Sequence, residues 1–216
     1  MTLSTAAQPG LFIAFEGGDG AGKSTQAALL TQALSDAGRT VLRTREPGGT
    51  PVGEKLRSLV LEHGQGEIDA KTEALIFAAA RAAHATQVIT PAVARGEIVI
   101  SDRYADSSIA YQGAGRGLGT EAIVKLNDWA TSGLWPDLTV LLDVSPAEGR
   151  ERRTAGEAAE DRMESEPDDF HATIRAAFLE LAAANPQRYL VLPADGSVTE
   201  LSKAIQERVS SLIGVS

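Results

Sequence analysis

Lys23 and Ser24 close the run GGDGAGKST, which reads G-x-x-x-x-G-K-S from Gly17 to Ser24. That spacing is suited to holding a polyphosphate. Glycines let the backbone wrap closely enough for several N–H groups to point at one anion. A helix starting at Lys23 adds the positive end of its dipole. The Lys23 ammonium can reach β- and γ-phosphates, and the Ser24 hydroxyl suits a Mg2+ ligand. The stretch Gly17, Gly18, Asp19, Gly20, Ala21, Gly22, Lys23, Ser24 and Thr25 is therefore the candidate cradle for ATP or GTP. An apolar run, LFIAFE, precedes it and an amphipathic one follows, which separates it from an accidental glycine-rich turn.

A second candidate pair, Asp102-Arg103, ends the apolar run Ile98–Ser101. Asp102 there is either a carboxylate for Mg2+, often acting through water, or a helix cap. Arg103 either grips a phosphate or pairs with a carboxylate. The 20 basic residues divide into 15 Arg and 5 Lys, a bias that suits bidentate phosphate recognition but that genome composition also produces. The net charge of -9 argues against a general nucleic-acid surface and leaves room for a small anion in a local pocket. With no Cys, disulfides, thiolate catalysis and Cys-ligated zinc are excluded. His63, His84 and His171 show no spacing that requires catalysis. The start, MTLSTAAQPG, has no basic segment followed by an apolar core, and no run approaches the roughly 18 apolar residues of a membrane span. The expectation is a soluble, cytoplasmic protein with neither membrane nor nucleic acid as partner.

The elements that must position these residues alternate along the chain. Leu11–Glu16 reads as a buried strand, and Lys23 to about Ala37 as a helix ended by Gly38. Thr40–Arg45 is a second strand, followed by the breakers Glu46-Pro47-Gly48-Gly49 and a helix over about Val52–Glu62. A long Ala-rich helical segment covers about Lys71–Arg95, with Pro91 kinking it or opening a new helix. The stretch Arg103–Gly119 begins polar and ends in a Gly-rich loop, GAGRGLG. Helix Thr120–Ser132, strand Leu138–Val144 and a helix opened by Pro146 follow. Arg150–Asp169 is charged and poor in apolar residues, so it is predicted exposed and mobile. A helix over Asp169–Asn185, a strand at Tyr189–Leu192 and an amphipathic helix over Val198–Ile213 finish the chain. Strands alternating with helices predict a three-layer α/β/α fold with a five-stranded parallel sheet. Residues 1–10 are predicted to be a disordered tail, and residues 11–216 one domain. Ligands gather beyond the carboxyl ends of such strands, where the phosphate loop, Arg45–Gly49, Asp102–Tyr104 and the region after Asp143 all fall.

EGGDGAGKSTQ, REPGGTPVGEKLRSLVLE, FAAAR, SDRYADSSIAYQGAGRGLG and DRMESE, in this order, resemble bacterial thymidylate kinase over nearly all of residues 11–193. The resemblance implies a phosphate-loop kinase that moves the γ-phosphoryl of ATP to dTMP, with Mg2+, in a homodimer. It implies that Phe77 stacks on thymine and that Arg81 hydrogen-bonds its edge. By themselves these two residues read as a core aromatic and a solvated charge, and residues four apart do share a helix face. Arg57 and Arg103 match positions that hold the acceptor phosphate, although Arg57 alone reads as one half of a surface salt bridge. Ser108 and Gln112 match positions that read the thymine edge, and Tyr111 matches the aromatic that disfavours a 2′-hydroxyl. Asp19 and Glu46 match positions near the acceptor sugar and the reacting phosphates, and Pro47 is a candidate for a cis bond.

Residues of approximately 149–169 align with the family's mobile lid. In one branch of the family a catalytic Arg lies inside the phosphate loop, but here those positions are Gly20 and Ala21. The lid is then expected to bring the cation, with Arg152 first, Arg153 and Arg162 behind it. Lys23, Arg103, Arg152 and Arg153 are the candidate catalytic residues, and Ser24 and Asp102 the candidate metal ligands. The basic spacing of the lid is only partly kept, since Glu157, Ala158, Ala159 and Glu160 intervene. Two alternatives remain open: another phosphate-loop nucleotide kinase, and a nucleotide-dependent switch. No N-K-x-D guanine-reading motif supports the switch.

Overall fold

The computed structural model describes residues 10–154 and 160–214, leaving out the side chains of Arg153 and Thr154. The expected tail therefore lies, except for Gly10, outside the described residues, as does the middle of the proposed lid. Elements follow as β1 (Leu11–Glu16), α1 (Lys23–Asp36), β2 (Val41–Arg45), α2 (Pro51–Leu61) and α3 (Ala70–His84). A π-helical stretch, Ala85–Ile89, joins α3 without a break to α4 (Thr90–Ala94), and Pro91, which has no N–H to donate, falls directly after this change in the helical hydrogen-bond pattern. Then come β3 (Ile98–Asp102), α5 (Ala105–Ser108) with a π-helical continuation, Ile109–Gly115, and α6 (Thr120–Thr131). The chain closes with β4 (Leu138–Asp143), α7 (Pro146–Thr154), α8 (Asp168–Ala184), β5 (Tyr189–Pro193) and α9 (Val198–Ile213).

The sheet has strand order β2-β3-β1-β4-β5, and every pairing is parallel. β1 lies at its centre, and all six of its residues are buried. Alternation divides its side chains between two layers. Leu11, Ile13 and Phe15 pack with Ala27, Leu30 and Leu34 of α1 and Ile205 and Val209 of α9. Phe12 and Ala14 face the other way, onto Ile89, Ala92, Tyr104 and Ala105. The strand ends fall level: Arg45 and Phe15 both pair with Asp102, while Glu16 pairs with Leu141. The chain runs from β1 to β2 and β3 on one side, then crosses to β4 and β5 on the other. The carboxyl end of β1 is thus the point where a crevice opens in such a sheet.

Two parts of the chain differ from the sequence-based expectation. The predicted loop within Arg103–Gly119 is helical as far as Gly115. Its first two glycines serve packing, while Gly117 and Gly119, at φ 70° and 89°, make the turn that follows. A Cβ on Gly113 would lie 3.1 Å from the Thr120 backbone, and one on Gly115 would lie 2.7 Å from the Phe170 ring. The charged stretch before α8 is also less exposed than its composition implies. Met163 is buried in a cluster with Tyr111, Leu141, Ile174 and Phe178, so a single apolar residue ties this stretch to the body of the protein.

Candidate active site

The phosphate loop sits at the end of β1, as the motif requires. Gly17 has φ of 131°, and a Cβ there would collide with the Leu142 carbonyl oxygen. Only glycine lets the loop leave the sheet this close to β4. Gly22 caps α1 at φ 90° with no side-chain hydrogen bond to the helix, which leaves the N-terminal N–H groups directed at the cleft. Lys23 Nζ folds back to donate to the Gly17 and Gly18 carbonyls at 3.1 and 2.8 Å. Burial and the neighbouring Arg103 lower its pKa from the ordinary lysine value. Ser24 Oγ donates to Asp102 Oδ2 at 2.6 Å, which brings together the two candidate metal ligands, one from the start of α1 and one from the end of β3.

Around this loop lies a cleft of about 510 Å3. Its walls include Asp19, Lys23 and Ser24 on one side and Glu46, Arg57 and Phe77 on another. Arg81, Arg103, Ser108, Tyr111, Gln112 and Arg152 line it as well. Residues expected from separate elements along the chain therefore converge on one cavity. Arg153 belongs to α7, but its side chain lies outside the described residues.

The arginines are held from behind by acids. Arg103 donates to Asp19 Oδ1 at 2.5 Å, to the Gly17 carbonyl at 3.2 Å and to Ser107 Oγ at 3.1 Å. Its guanidinium carbon lies 5.3 Å from the Tyr111 ring centre, and the Tyr111 hydroxyl donates to Asp19 Oδ2 at 3.3 Å. Desolvation opposes the charge of Arg103, yet Asp19 and the other negative groups raise its pKa well above the ordinary value. Arg81 is only 2% exposed. Its Nε donates to Glu46 Oε2 at 2.7 Å, and its terminal nitrogens donate to Ser108 Oγ, Asn127 Oδ1 and the Tyr104 carbonyl. It is neither a solvated charge nor a surface ion pair. Phe77, one turn earlier on α3, is half-buried and faces the cleft. Arg57 Nη1 donates to the Pro47 carbonyl at 3.1 Å, and the Glu46–Pro47 bond is cis.

Several residues of this network were not picked out from the sequence. His84 is fully buried and bridges Thr44 Oγ1, at 2.7 Å, to Glu46 Oε1, at 2.9 Å. Glu73, buried on α3, accepts from Gln112 Nε2 at 2.9 Å, from Arg116 at 3.2 Å and from Arg162 Nη2 at 2.6 Å. Desolvation pushes its pKa up, but these donors outweigh that and hold it below the ordinary carboxylate value. Arg162 also donates to the Val60 carbonyl, so this third candidate for a lid cation is committed to the protein body. Glu16 is buried at the very end of β1, and burial together with nearby Asp106 raises its pKa to about 7. The one signal each acid gives in the sequence is its setting: Glu16 ends an apolar strand, and Glu73 lies in an Ala-rich helix.

A phosphate loop, a central parallel sheet and a second, arginine-lined half of the same cleft define an ATP-dependent nucleoside monophosphate kinase. The family model described as thymidylate kinase matches residues 15–205. A thymidylate kinase from Cutibacterium acnes is 53% identical over 205 residues, covering 94% of this chain and 98% of that protein. One from Leifsonia xyli is 51% identical, covering 95% and 97%, and one from Pelobacter propionicus is 45% identical, covering 93% and 94%. The chain belongs to the thymidylate kinase family.

The Glu46–Arg81 pair is buried on both sides, so it is costly to break by halves. Glu46→Ala is expected to lower unfolding stability by about 3–5 kcal/mol, because it strands the Arg81 charge. Adding Arg81→Met should cost less than the sum of the two single changes. Urea unfolding of the four proteins checks this. Additive losses would mean that the two residues act independently.

Proposed function

We propose that this chain transfers the γ-phosphoryl of ATP to dTMP, giving dTDP and ADP, in the cytoplasm. The observation that carries the proposal is the two-sided cleft. A phosphate-binding loop forms one half, and the other holds one aromatic face beside buried polar side chains suited to a base. Both substrates are anionic, so catalysis rests on orientation and charge neutralisation more than on acid–base chemistry. The acceptor phosphate is already ionised at neutral pH, which fits a site built on arginine.

In this reading residues 17–25 cradle ATP, with Lys23 drawn from the Gly17 and Gly18 carbonyls to the donor phosphates. Arg57 and Arg103 hold the dTMP phosphate, and Arg103 also steadies the reacting oxygens. Phe77 stacks on thymine, while Arg81, Ser108 and Gln112 present donors and acceptors to its edge. Tyr111 is fixed by Asp19 where it crowds the 2′ carbon of the sugar. Asp19 and Glu46 stand close to the sugar and the transferring group and keep the arginines extended. Ser24 Oγ and Asp102 Oδ2, 2.6 Å apart, form an oxygen pair that fits Mg2+ completed by phosphate oxygens and water. When bound, that ion neutralises charge on the donor phosphates.

Residues 149–169 act as the lid in this proposal, and Arg152 brings the cation. Its side chain is exposed on α7, reaches the cleft and donates to the Ala194 carbonyl at 3.0 Å, a neutral partner that it can leave. Arg153 is the reserve candidate. Homodimer formation is supported by apolar side chains left in solvent on neighbouring helices: Trp129 on α6 at 82% exposure and Leu75 on α3 at 58%. Light scattering should report twice the chain mass, and a single-chain mass would overturn the dimer.

Purified protein assayed with ATP against a panel of nucleoside monophosphates tests the reaction itself, and preference for another base would replace dTMP as the acceptor. Phe77→Ala should raise KM for dTMP on the order of tenfold or more, with KM for ATP nearly unchanged, since base–aromatic stacking is worth about 1–3 kcal/mol. Equal loss for both nucleotides would make Phe77 a packing residue. Arg152→Ala should depress kcat about a thousandfold, with little change in either KM, as expected for a cation that meets the transition state. Unchanged turnover would move this role to Arg153.

A further inference from the structure

Arg103 stands in a conformation that its side chain disfavours. Its φ is 68°, in the left-handed region, which is strained for a residue with a Cβ. Something in the surroundings must hold it there. The Arg103 N–H donates to the Phe15 carbonyl at 2.9 Å, and its own carbonyl accepts from Ser101 Oγ at 2.7 Å. The next amide, Tyr104 N–H, donates to Glu16 Oε1 at 2.8 Å. The last two residues of β1 thus pin the backbone on both sides of Arg103.

Glu16 does more than accept one amide. Oε1 also accepts from Ser107 N–H at 3.2 Å, and Oε2 accepts from Ser107 Oγ–H at 2.6 Å. Ser107 Oγ in turn accepts from Arg103 Nη1 at 3.1 Å. The first turn of α5 has no capping side chain of its own at Tyr104. A carboxylate from the central strand supplies the cap, and through one hydroxyl it also reaches the guanidinium. Glu16 gets there by strand alternation: it shares its parity with Phe12 and Ala14, which face Tyr104 and Ala105.

Burial and Asp106 raise the Glu16 pKa to about 7, and Arg103 with the hydrogen-bond donors favours the ionised form. Asp106, the acid whose field opposes Glu16, is itself neutralised by Arg188 at 3.0 and 3.1 Å and accepts from Thr139 Oγ1. That leaves Arg103, with Lys23 beyond it, as the cationic side of the Glu16 environment. Every hydrogen bond described for the Glu16 carboxylate is a donor's approach to an acceptor, which an ionised carboxylate satisfies without rearrangement.

We propose that Glu16 is a positioning residue for phosphoryl transfer: from inside the sheet it caps α5 and, through Ser107, fixes Arg103 at the acceptor phosphate. It touches neither substrate. The inference rests on the reading of Arg103 as the residue that binds the dTMP phosphate.

Glu16→Gln and Ser107→Ala test it. The side-chain amide that Glu16→Gln introduces can still accept both backbone N–H groups, but its NH2 group turns a donor toward Ser107 Oγ, so the relay to Arg103 is broken. Ser107→Ala should retain the fold. Glu16→Gln should lower kcat/KM for dTMP by about tenfold to a hundredfold, the range in which small misplacements act, while KM for ATP stays within about twofold. Ser107→Ala should give a smaller loss with the same asymmetry, and the double variant should be no worse than Glu16→Gln alone, as for two links in series. Because Glu16 is buried, Glu16→Gln could unfold the protein. Ser107→Ala then decides, since it removes only a hydroxyl. A Ser107→Ala enzyme with unchanged dTMP kinetics, or equal losses for ATP and dTMP in either variant, would overturn the proposal. An arm independent of turnover separates it from the assigned reaction. In 15N-arginine spectra the Arg103 guanidinium, still paired with Asp19, should rotate measurably faster in the variants than in the parent protein. The same rotation rate in all of them would sink the positioning role. A parent protein that shows the change on mutation but fails to phosphorylate dTMP would sink the reaction instead.

Discussion

A buried charge must be answered by a partner, and the cleft of this protein is arranged around that requirement. To bring two anionic substrates together, arginines have to be held extended in a cavity before either substrate arrives. Left alone there, they would be expensive to desolvate and would repel one another. The two most deeply placed are therefore paired with acids of the same cleft, Arg103 with Asp19 and Arg81 with Glu46, while Arg57 and Arg152 donate to the Pro47 and Ala194 carbonyls. This is why a chain of net charge -9 can carry a cationic site. The acids that accompany the arginines cancel most of their field at a distance and leave donors pointing inward at short range.

The sheet decides where those pairs stand. With β1 in the middle, its last residue and the loop after it are shielded by β3 and β4 on either side. Asp102 at the end of β3 reaches Ser24 at the start of α1, and Arg103, one residue later, turns back over the loop. The second wall is α3, whose Phe77 and Arg81 line the cleft and whose Glu73 and His84 lie buried on the same face, spaced four, four and three along the helix. One helix thus carries the carboxylate that holds Gln112 and Arg162, the aromatic face, the buried arginine and the histidine that fixes Glu46. Packing this many polar groups on one side is tolerated because nearly every one is satisfied.

How much of this could be read in advance followed physical range. The phosphate loop was legible because its mechanism is local: the glycines, the lysine and the serine lie within one turn of chain. The α/β class was legible from alternating apolar runs, and the spacing of Phe77 and Arg81 placed them together on one helix. The identity of Arg81 as a buried hub was not, because burial is decided by what packs against α3, and its partners Glu46, Ser108 and Asn127 are 27 to 46 residues away. Glu73 and Glu16 escaped notice for the same reason. Each is a single acid in apolar surroundings, and its meaning lies in donors from distant turns. The charged stretch around Arg162 misled in the opposite direction. Its composition speaks of solvent, while Met163 and the Glu73 pairing fasten it down. The π-helical stretches gave no sign in composition, since their residues are ordinary helix and packing residues.

The absence of an arginine in the phosphate loop has a geometric counterpart in α7. Gly20 stands so close to Gly149 that a Cβ on it would run into the Gly149 carbonyl oxygen, and a Cβ on Gly149 would fall 2.6 Å from the Asp19 carbonyl oxygen. Two glycines allow the loop and the helix to meet backbone to backbone. Any side chain at position 20 would meet the α7 backbone at Gly149 and force the loop and the helix apart. In the proposed mechanism the small loop and Arg152 on α7 are two parts of one solution. Arg152 lies three residues beyond Gly149, so it shares a helix face with the contact point. A helix seated this tightly on the loop sets the distance from which that side chain must reach. In the proposed mechanism the cation then comes from an element distinct from the one that binds the phosphates.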